Sequence, residues 1–476
     1  MARLMTRMFF DGAWRDGATT YPLTDKFTLE PIADIQVPDR EQVDSAINAV
    51  ARAQEACSLS GWQRAEILGT AAELVAGRRE RFVDTMITDT GFTMTDADRE
   101  VGRTIETLRL CAEEAKRLTG RMVPMDGAPG GAGRLGFTLR KPLGVVCAIT
   151  PFNAPLNTVC HKVGPALAAG NGVVLKPAPE TPLTAELLVQ TLLEAGVPDG
   201  LLALLPGGAD VGQRLLEHPV PALYAFTGST RVGEHIARTV GTRRTQLELG
   251  SLASTIVCAD ADLDRAAELC VNAAFRKAGQ VCTSIQRLYV ERAVLAEMSG
   301  LITGKLDGRP VGDPRAPGAF VGPVISPASA DRIEAWVRGA VASGASLAGG
   351  GARQGSVIEP TVLTDVPADT DVMTNEIFGP VVVLRPFEDF ADAVAEANNT
   401  PYGLAAGVFT ANLDRALAAA QRLRVGTVHI NETSSSRVDL MPFGGVKASG
   451  TGVEGPRYAI EEMTEETLIT IGGSGR

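Results

Sequence analysis

The chain has 476 residues, of which 45% are hydrophobic and 21% charged, and acidic residues outnumber basic ones by 56 to 45. The composition is that of a globular protein, and the length predicts two or three packed units. A net charge of −11 gives no general attraction to phosphate backbones or anionic lipid, and no apolar run reaches the roughly 18 residues of a membrane span. We therefore expect neither a nucleic acid nor a membrane as partner.

Cysteine and histidine are both scarce in this sequence. The seven cysteines include no pair with CxxC spacing, and the four histidines form no HExxH motif. Free thiols in a reducing cytoplasm fit this pattern best, and no metal site is expected. The first ten residues lack the long apolar core of a signal peptide, so none is predicted.

Strand and helix patterns alternate through the first half of the chain. Residues 41–120 have helical spacing, and a Pro/Gly-rich break covers residues 124–136. The strands predicted after it are 143–149, 173–176, 201–205, 222–226 and 246–249, separated by helices at about 155–169, 182–195, 209–218 and 229–240. This alternation predicts βαβ units in a parallel sheet covered on both faces, which binds ligands at the carboxyl ends of its strands.

A second α/β set follows in the other half. It comprises a helix at 262–277, strands at 287–290, 380–384, 404–409 and 426–430, and helices at about 390–397 and 413–423. The tail, residues 463–472, has the pattern of a strand. We expect it to pair with a strand just after the Pro/Gly-rich break, since isolated edges seldom stay unpaired.

One strand–turn–helix segment has the features of a dinucleotide site. In FTGSTRVG, Gly228 permits a tight turn, Ser229 or Thr230 is placed to cap the helix, and Gly233 permits close packing. The helix N-terminus would offer free N–H groups to a pyrophosphate. Lys176, at the end of a buried strand, is placed to bind ribose hydroxyls. The alternatives are an ordinary capped turn and a lysine whose amine reaches solvent.

Three further residues carry the chemistry of covalent catalysis. Cys282 lies in a turn after a helix, which suits an accessible thiolate, although a single cysteine is more often a packing residue. Glu248 ends an apolar strand, where burial would raise its pKa toward that of a general base; the alternative is a solvent-facing carboxylate. Asn153, in a Pro-rich turn, is either an oxyanion donor or an Asx-turn residue. Together with the dinucleotide loop, they indicate a covalent intermediate followed by hydride transfer.

These segments resemble the aldehyde dehydrogenase superfamily over nearly the whole chain. The matching motifs, in chain order, are PFNAP at 151–155, KVGPALAAGN at 162–171, KPA at 176–178, FTGST at 226–230, LELG at 247–250, GQVC at 279–282, EIFGPVV at 376–382, NTPYGLAAGVFT at 399–410 and MPFGGVKASGTG at 441–452. The resemblance implies an α/β fold with two doubly wound parallel-sheet domains and a small β oligomerisation element. It implies a cofactor-binding domain at 1–123 and 143–247, a catalytic domain at 248–454, and an oligomerisation element at 124–142 and 455–476. A homodimer or homotetramer is expected.

The resemblance also implies residue roles. Cys282 corresponds to the nucleophile, Glu248 to the base that activates the deacylating water, and Asn153 to the oxyanion amide. Lys162 matches a further position near the active site. Lys176 corresponds to the ribose-binding lysine, and Glu376 and Phe378 to residues that position the nicotinamide ribose and ring. The implied reaction is thiolate attack on a small aldehyde, hydride transfer to NAD or NADP, and hydrolysis of the thioester.

The sequence departs from the family pattern at three places. Ser251 and Leu252 follow LELG where Gly and then Lys or Asn are usual, which would reshape the strand beside the base. Pro179 stands where NAD-preferring members carry Glu, with Glu180 next, so repulsion toward a 2′-phosphate is reduced and NADP use is predicted. Val281 occupies a position where some members acting on phosphorylated substrates have Arg.

The substrate is predicted to be polar or anionic, such as lactaldehyde, sulfolactaldehyde or succinate semialdehyde. Arg103 and Arg437, with His161 beside Lys162, resemble residues of members acting on such aldehydes. Surface or interdomain salt bridges are an equally good interpretation of the two arginines. The rival activities are a CoA-acylating dehydrogenase, which would not need Glu248, and a non-catalytic family relative.

Overall fold

A computed structural model describes residues 4–472 and contains fifteen α-helices in that range. The predicted cofactor-binding domain begins at residue 1, and the predicted oligomerisation element ends at residue 476. Residues 1–3 and 473–476 of these two segments lie outside the described residues. The helices are α1 (Arg40–Ala56), α2 (Gly61–Gly77), α3 (Arg79–Thr90), α4 (Met94–Ala115), α5 (Asn157–Ala169), α6 (Pro182–Glu194), α7 (Ala209–Glu217), α8 (Thr230–Val240), α9 (Leu263–Phe275), α10 (Leu295–Leu306), α11 (Pro327–Ala342), α12 (Asp371–Thr374), α13 (Phe390–Asn398), α14 (Leu413–Arg422) and α15 (Pro456–Glu462).

Within residues 4–472, the strands form two large sheets and three small ones. The first twelve are β1 (Leu4–Thr6), β2 (Met8–Phe10), β3 (Ala13–Arg15), β4 (Thr19–Thr24), β5 (Pro31–Val37), β6 (Met122–Val123), β7 (Leu135–Pro142), β8 (Val145–Ile149), β9 (Gly172–Lys176), β10 (Leu202–Leu204), β11 (Leu223–Thr227) and β12 (Arg244–Glu248). The others are β13 (Ser254–Val257), β14 (Arg287–Glu291), β15 (Ser346–Gly349), β16 (Arg353–Gln354), β17 (Val357–Ile358), β18 (Thr361–Thr364), β19 (Val381–Phe387), β20 (Ala405–Phe409), β21 (Thr427–Ile430), β22 (Gly450–Thr451) and β23 (Thr464–Ile471).

The eight-stranded sheet has the order β22-β12-β11-β8-β9-β10-β2-β3. Its five central strands are parallel, while β2, β3 and β22 pair antiparallel at the edges. Side chains of β8 alternate between two apolar clusters, one packed on α2 to α6 and the other on α1, α7 and α8. From β8 the chain winds first to β9 and later to β11. This reversal opens a crevice at the carboxyl ends of β8 and β11, where such sheets bind ligands.

The seven-stranded sheet has the order β15-β18-β19-β14-β13-β20-β21 and is parallel except at β15. Helices α9 to α11 cover one face, and α13 and α14 cover the other. The predicted α/β class with doubly wound sheets is therefore confirmed, with mixed rather than purely parallel edges. Among the described residues, no helix is both long and apolar enough to cross a membrane.

The predicted strands and helices coincide with observed elements to within a few residues, and the tail strand is confirmed as β23. It pairs antiparallel with β7 along eight residues, directly after the Pro/Gly-rich break. No helix or strand was predicted for residues 291–379, where the structure has α10 to α12 and β15 to β18. The N-terminal strands β1 to β5 were missed as well, because most of them have only three residues, too few to show a periodicity.

Candidate active site

A cleft of about 960 Å³ opens at the carboxyl ends of β8, β9, β11 and β12. The turn after each strand supplies part of its wall, so the fold brings together residues that are far apart in the sequence. The predicted site residues that line it are Asn153, Lys176, Pro179, Gly228, Ser229, Glu248, Cys282, Glu376 and Phe378. Of the other predicted residues, Gly233 lies in α8 behind this wall, and Lys162, Arg103, His161 and Arg437 belong to buried networks described below.

Cys282 follows a strained turn at the end of α9. Lys277 and Ala278 both have φ of +54° and Gly279 has φ of +70°. A left-handed non-glycine residue costs on the order of 1–3 kcal/mol, so tertiary contacts must hold this turn. A Cβ on Gly279 would lie 2.0 Å from the carbonyl oxygen of Gly379, so only glycine fits. The turn leaves Cys282 half-buried at the end of the cleft.

Lys277 is the contact that holds this turn. Its buried ammonium forms an ion pair with Glu100 of α4 and donates to the carbonyl oxygen of Asn153 at 2.8 Å. Its backbone N–H donates to Asp96 at 2.9 Å, and the other oxygen of Glu100 accepts the N–H of Leu156 at 3.0 Å. One lysine therefore joins the turn before Cys282 to the loop that carries Asn153.

Glu248 is buried beside Cys282, and both residues line the cleft. Burial, reinforced by the negative charge of Glu454, raises the pKa of Glu248 to about 8. The predicted raised pKa is therefore confirmed. Burial also raises the pKa of the Cys282 thiol, and the adjacent Glu248 raises it further. The turn placement suggested an accessible thiolate, but desolvation and a neighbouring carboxylate both favour the neutral thiol.

Asn153 lies against the nucleophile turn. Its side-chain amide donates to the carbonyl oxygen of Gln280 at 2.9 Å, two residues before Cys282. A carboxamide has two N–H donors, so this bond fixes the orientation of Asn153 and leaves the second donor for another acceptor.

A buried ionic network lies behind Glu248. The fully buried ammonium of Lys162 donates to Glu454 at 2.9 Å, and Arg437 donates to the other oxygen of the same carboxylate at 3.0 Å. Thr227 donates to Glu454 at 3.1 Å, and the Arg437 guanidinium stacks 3.8 Å from the ring centre of Phe443. These cations hold the pKa of Glu454 well below its usual range despite burial.

A second network engages Arg103 and His161. Both oxygens of Asp439 accept from Arg103, at 3.1 and 2.7 Å, and His161 lies 2.9 Å from the same carboxylate. Asn157 adds a donor at 3.0 Å. Arg103 and Arg437 thus both form internal salt bridges, which is the alternative that the sequence left open for them.

Comparison with other proteins agrees with this geometry. The model of the aldehyde dehydrogenase family matches residues 14–469. The chain belongs to the aldehyde dehydrogenase family. It is 44% identical to 3-sulfolactaldehyde dehydrogenase of Priestia aryabhattai, over 98% of this chain and 97% of that protein.

Two crystal structures of other aldehyde-oxidising enzymes superpose over nearly the whole chain. Aldehyde dehydrogenase 21 from Physcomitrella patens, in complex with the reaction product succinate, has a TM-score of 0.97, 35% identity and full coverage of both chains. An NADP-dependent glyceraldehyde-3-phosphate dehydrogenase from Bacillus halodurans C-125, complexed with NADP, has a TM-score of 0.96 and 34% identity, covering 99% of this chain and 100% of that one. The present aldehyde dehydrogenase is accordingly NAD(P)-dependent.

The cleft of this aldehyde dehydrogenase fits a nicotinamide dinucleotide. Lys176 is buried and donates to the carbonyl oxygen of Pro177 at 3.2 Å, and burial lowers its pKa to about 8. It forms no ion pair with a carboxylate among residues 4–472, so its donors remain for a polar ligand. The alternative of a lysine that reaches solvent is therefore wrong.

The loop after β11 differs from the sequence expectation in two details. Gly228 does not use left-handed backbone; a Cβ there would lie 2.5 Å from the Phe226 ring. Ser229 occupies the N-cap of α8 without a side-chain capping bond, and the Thr230 hydroxyl instead bonds the backbone of Ala448 and Gly250. The capping prediction is therefore wrong, and the helix start faces the cleft through its backbone. Close packing at Gly233 is confirmed, since a Cβ there would lie 2.3 Å from Leu249.

Glu376 and Phe378 form the opposite wall of the cleft. Glu376 accepts the backbone N–H of Ser251 at 3.0 Å, and burial raises its pKa to about 7. Phe378 has a strained φ of +47° and packs edge-on against Phe152 with ring centres 5.7 Å apart. The departure at Ser251 thus leaves Glu248 at the end of β12 and positions Glu376 through a peptide group.

Sequence reasoning missed four residues of this site: Arg276, Lys277, Asp439 and Glu454. Arg276 is half-buried beside the nucleophile turn, and burial lowers its pKa to about 10. Its guanidinium donates to the hydroxyl of Ser435 at 2.7 Å, and it forms no carboxylate ion pair within residues 4–472. Two of these residues could have been found from their positions in the sequence. Arg276 lies six residues before Cys282, and Glu454 lies two residues after the matched motif at 441–452.

Proposed function

We propose that this enzyme oxidises a small polar or anionic aldehyde to its carboxylic acid through a thioester on Cys282. The observation that carries the proposal is a half-buried thiol beside a buried carboxylate of raised pKa, both in the wall of a cofactor-sized cleft. A nucleophile next to a base is the arrangement that covalent catalysis requires.

In the proposed chemistry, the Cys282 thiol loses its proton to solvent, and the thiolate sulfur attacks the aldehyde carbon. The carbonyl oxygen becomes an alkoxide, held by the Asn153 amide and the backbone N–H of Cys282. A nicotinamide bound by Lys176, Glu376 and Phe378, with its pyrophosphate at Gly228 and Ser229, would accept the hydride. Glu248 then takes a proton from water, the hydroxide attacks the thioester, and the acid leaves as the thiol re-forms.

Lys162 is proposed to act through Glu454. The lysine and Arg437 keep Glu454 ionised, and this buried negative charge raises the pKa of Glu248. A base whose pKa lies near the working pH removes a proton from water more effectively than an ordinary carboxylate does. The positive charges of Lys162 and Arg437 also lower the pKa of Glu248 directly, so Lys162 influences the basicity of Glu248 in both directions without needing to touch the substrate.

The anionic end of the substrate is proposed to meet Arg276. Arg103 and Arg437 already neutralise carboxylates, whereas Arg276 pairs with a neutral hydroxyl beside the nucleophile turn. A desolvated guanidinium favours a carboxylate or sulfonate, to which it can donate two parallel bonds. The relative that oxidises sulfolactaldehyde and the structure with bound succinate support an anionic substrate. Arg103, Arg437 and His161 would form the charged surroundings of this site.

A CoA-acylating activity is the second candidate. It would form the same thioester, but transfer to a thiol does not require a base for water, so the buried Glu248 favours hydrolysis. The test is an aldehyde panel with NAD and NADP, with and without CoA, followed by identification of the product. Free acid formed without CoA supports the proposal; dependence on CoA contradicts it.

We also propose a homodimer or homotetramer built on the small sheet of β6, β7 and β23. One face of this sheet is apolar, and its more exposed members are Met122, Leu135, Leu139 and Ile471. Light scattering on the purified enzyme would give the state. The proposed division remains 1–123 with 143–247, 248–454, and 124–142 with 455–476. A cytoplasmic location is proposed because all seven cysteines are free thiols.

A further inference from the structure

The turn between β9 and α6 has two sides. Pro179 and Glu180 line the cleft just after Lys176, while the reverse side of the turn contacts the N-terminal part of the chain. A dinucleotide held by Lys176 would bring its ribose to this turn. The position of Glu180 therefore bears on whether a 2′-hydroxyl or a 2′-phosphate is accepted.

Tyr21 of β4 holds the turn from behind. Its hydroxyl donates to the carbonyl oxygen of Pro179 at 2.7 Å. Proline has no N–H, so this carbonyl is the one backbone hydrogen-bonding group of residue 179. The bond fixes the plane of the peptide that leads into Glu180.

Asp89, at the end of α3, holds the far end of the same turn. Its fully buried carboxylate accepts the N–H groups of Leu183 at 3.3 Å and Thr184 at 2.6 Å. These groups belong to the first turn of α6, where Thr181 makes no side-chain capping bond. A carboxylate from another helix thus supplies the N-cap of α6.

A buried cation completes the arrangement behind the turn. Lys26 is 4% exposed and donates to the carbonyl oxygen of Thr24 at 2.8 Å. Burial lowers its pKa, and the negative charges of Asp89 and Glu180 oppose that shift. Glu180 likewise opposes the lowered pKa of Lys176 on the cleft side. The negative charge of Glu180 therefore acts on a cation on each side of the turn.

We propose that Tyr21 and Asp89 are positioning residues that hold Glu180 back from the ribose 2′ position and so permit NADP as well as NAD. If the turn relaxes, Glu180 can accept from the ribose hydroxyls of NAD and repel a 2′-phosphate. This inference depends on the proposed function for one point, the position of the cofactor ribose at this turn.

The test measures cofactor binding without aldehyde. Dissociation constants for NADH and NADPH are obtained from nucleotide fluorescence for the wild type and Tyr21→Phe. Losing one hydrogen bond should raise the NADPH-to-NADH ratio of dissociation constants roughly two- to tenfold. In a Glu180→Gln background, Tyr21→Phe should leave the ratio unchanged, because the repelling charge is gone.

Thr191→Val is the matched control, since it removes a buried hydroxyl two turns beyond Thr184 that donates to Leu187 within α6 and accepts from Arg78. This variant should have a lower melting temperature but an unchanged NADPH-to-NADH ratio of dissociation constants. Asp89→Asn should raise the NADPH-to-NADH ratio of dissociation constants, as Tyr21→Phe does. If the Asp89→Asn variant does not fold, the Tyr21→Phe measurements alone decide the proposal. An unchanged or lower ratio in Tyr21→Phe, or an equal change in the Glu180→Gln background, would overturn the proposal. These binding results do not depend on whether the thioester mechanism is correct.

Discussion

Replacing Arg276 by Gln should lower kcat/KM for anionic aldehydes and leave kcat/KM for neutral aldehydes nearly unchanged. The guanidinium is half-buried and desolvated enough that its pKa falls to about 10, and no carboxylate among the described residues forms an ion pair with it. Losing a charge-assisted hydrogen bond to a carboxylate costs about 1.5–3 kcal/mol. This corresponds to a loss of roughly 10–150-fold in kcat/KM for an anionic aldehyde.

The assay compares succinate semialdehyde with butanal, which has the same number of carbons and no charge. Arg276→Gln should reduce kcat/KM for the first and leave the second within about threefold, since the reacting groups are untouched. Arg276→Lys keeps the charge and should retain part of the preference. Arg103→Gln is the matched control, because Arg103 is bound to Asp439. Equal losses on both aldehydes would refute the reasoning and assign Arg276 to structure.

Three other outcomes are expected. The pKa of Glu248 is raised to about 8, so its carboxyl group is mainly protonated at pH 7. The rate of thioester hydrolysis should therefore rise about tenfold per pH unit up to a pH of about 8 and then level off. A hydrolysis rate that is flat between pH 6 and 8 would contradict this assignment. Lys277→Met should lower the free energy of unfolding by about 3–5 kcal/mol, because it leaves Glu100 buried and unpaired. Arg117→Met, which removes the surface pairs of Arg117 with Glu113 and Glu114 at the end of α4, should cost under about 1 kcal/mol in the same denaturation experiment, and equal costs would refute the claim. NADP should support turnover beside NAD with the preferred aldehyde, and an enzyme inert with saturating NADP would show that Glu180 reaches the ribose unaided.

The sequence was enough to identify the site residues whose roles follow from their immediate neighbours along the chain. Glu248 follows an apolar strand and Cys282 follows a helix, and in parallel sheets both kinds of position fall at the ligand-binding edge. The alternation of short apolar runs and helical patterns was enough to predict the doubly wound sheets.

Contacts between distant segments could not be predicted in this way. Lys277 and Glu100 are 177 positions apart, and Arg103 and Asp439 are 336 apart, so no local pattern pairs them. The protonation state of Cys282 was also beyond reach, because it depends on burial and on the carboxylate that the fold places beside it. Residues 291–379 contain strands of two to four residues, too short for a period-two pattern to be recognised.

The central claim, a thioester on Cys282 hydrolysed with the help of Glu248, is tested most directly with Glu248→Gln. A carboxamide cannot take a proton from water, but it removes a negative charge that raises the pKa of the Cys282 thiol. Rapid mixing with aldehyde and NAD should therefore give a burst of about one equivalent of NADH, followed by slow turnover. Acid quenching during the slow phase and peptide mass spectrometry should find the acyl group on Cys282, and Cys282→Ala should show neither burst nor acyl group. A Glu248→Gln enzyme that turns over rapidly, or a quenched enzyme without acylated Cys282, would contradict the account.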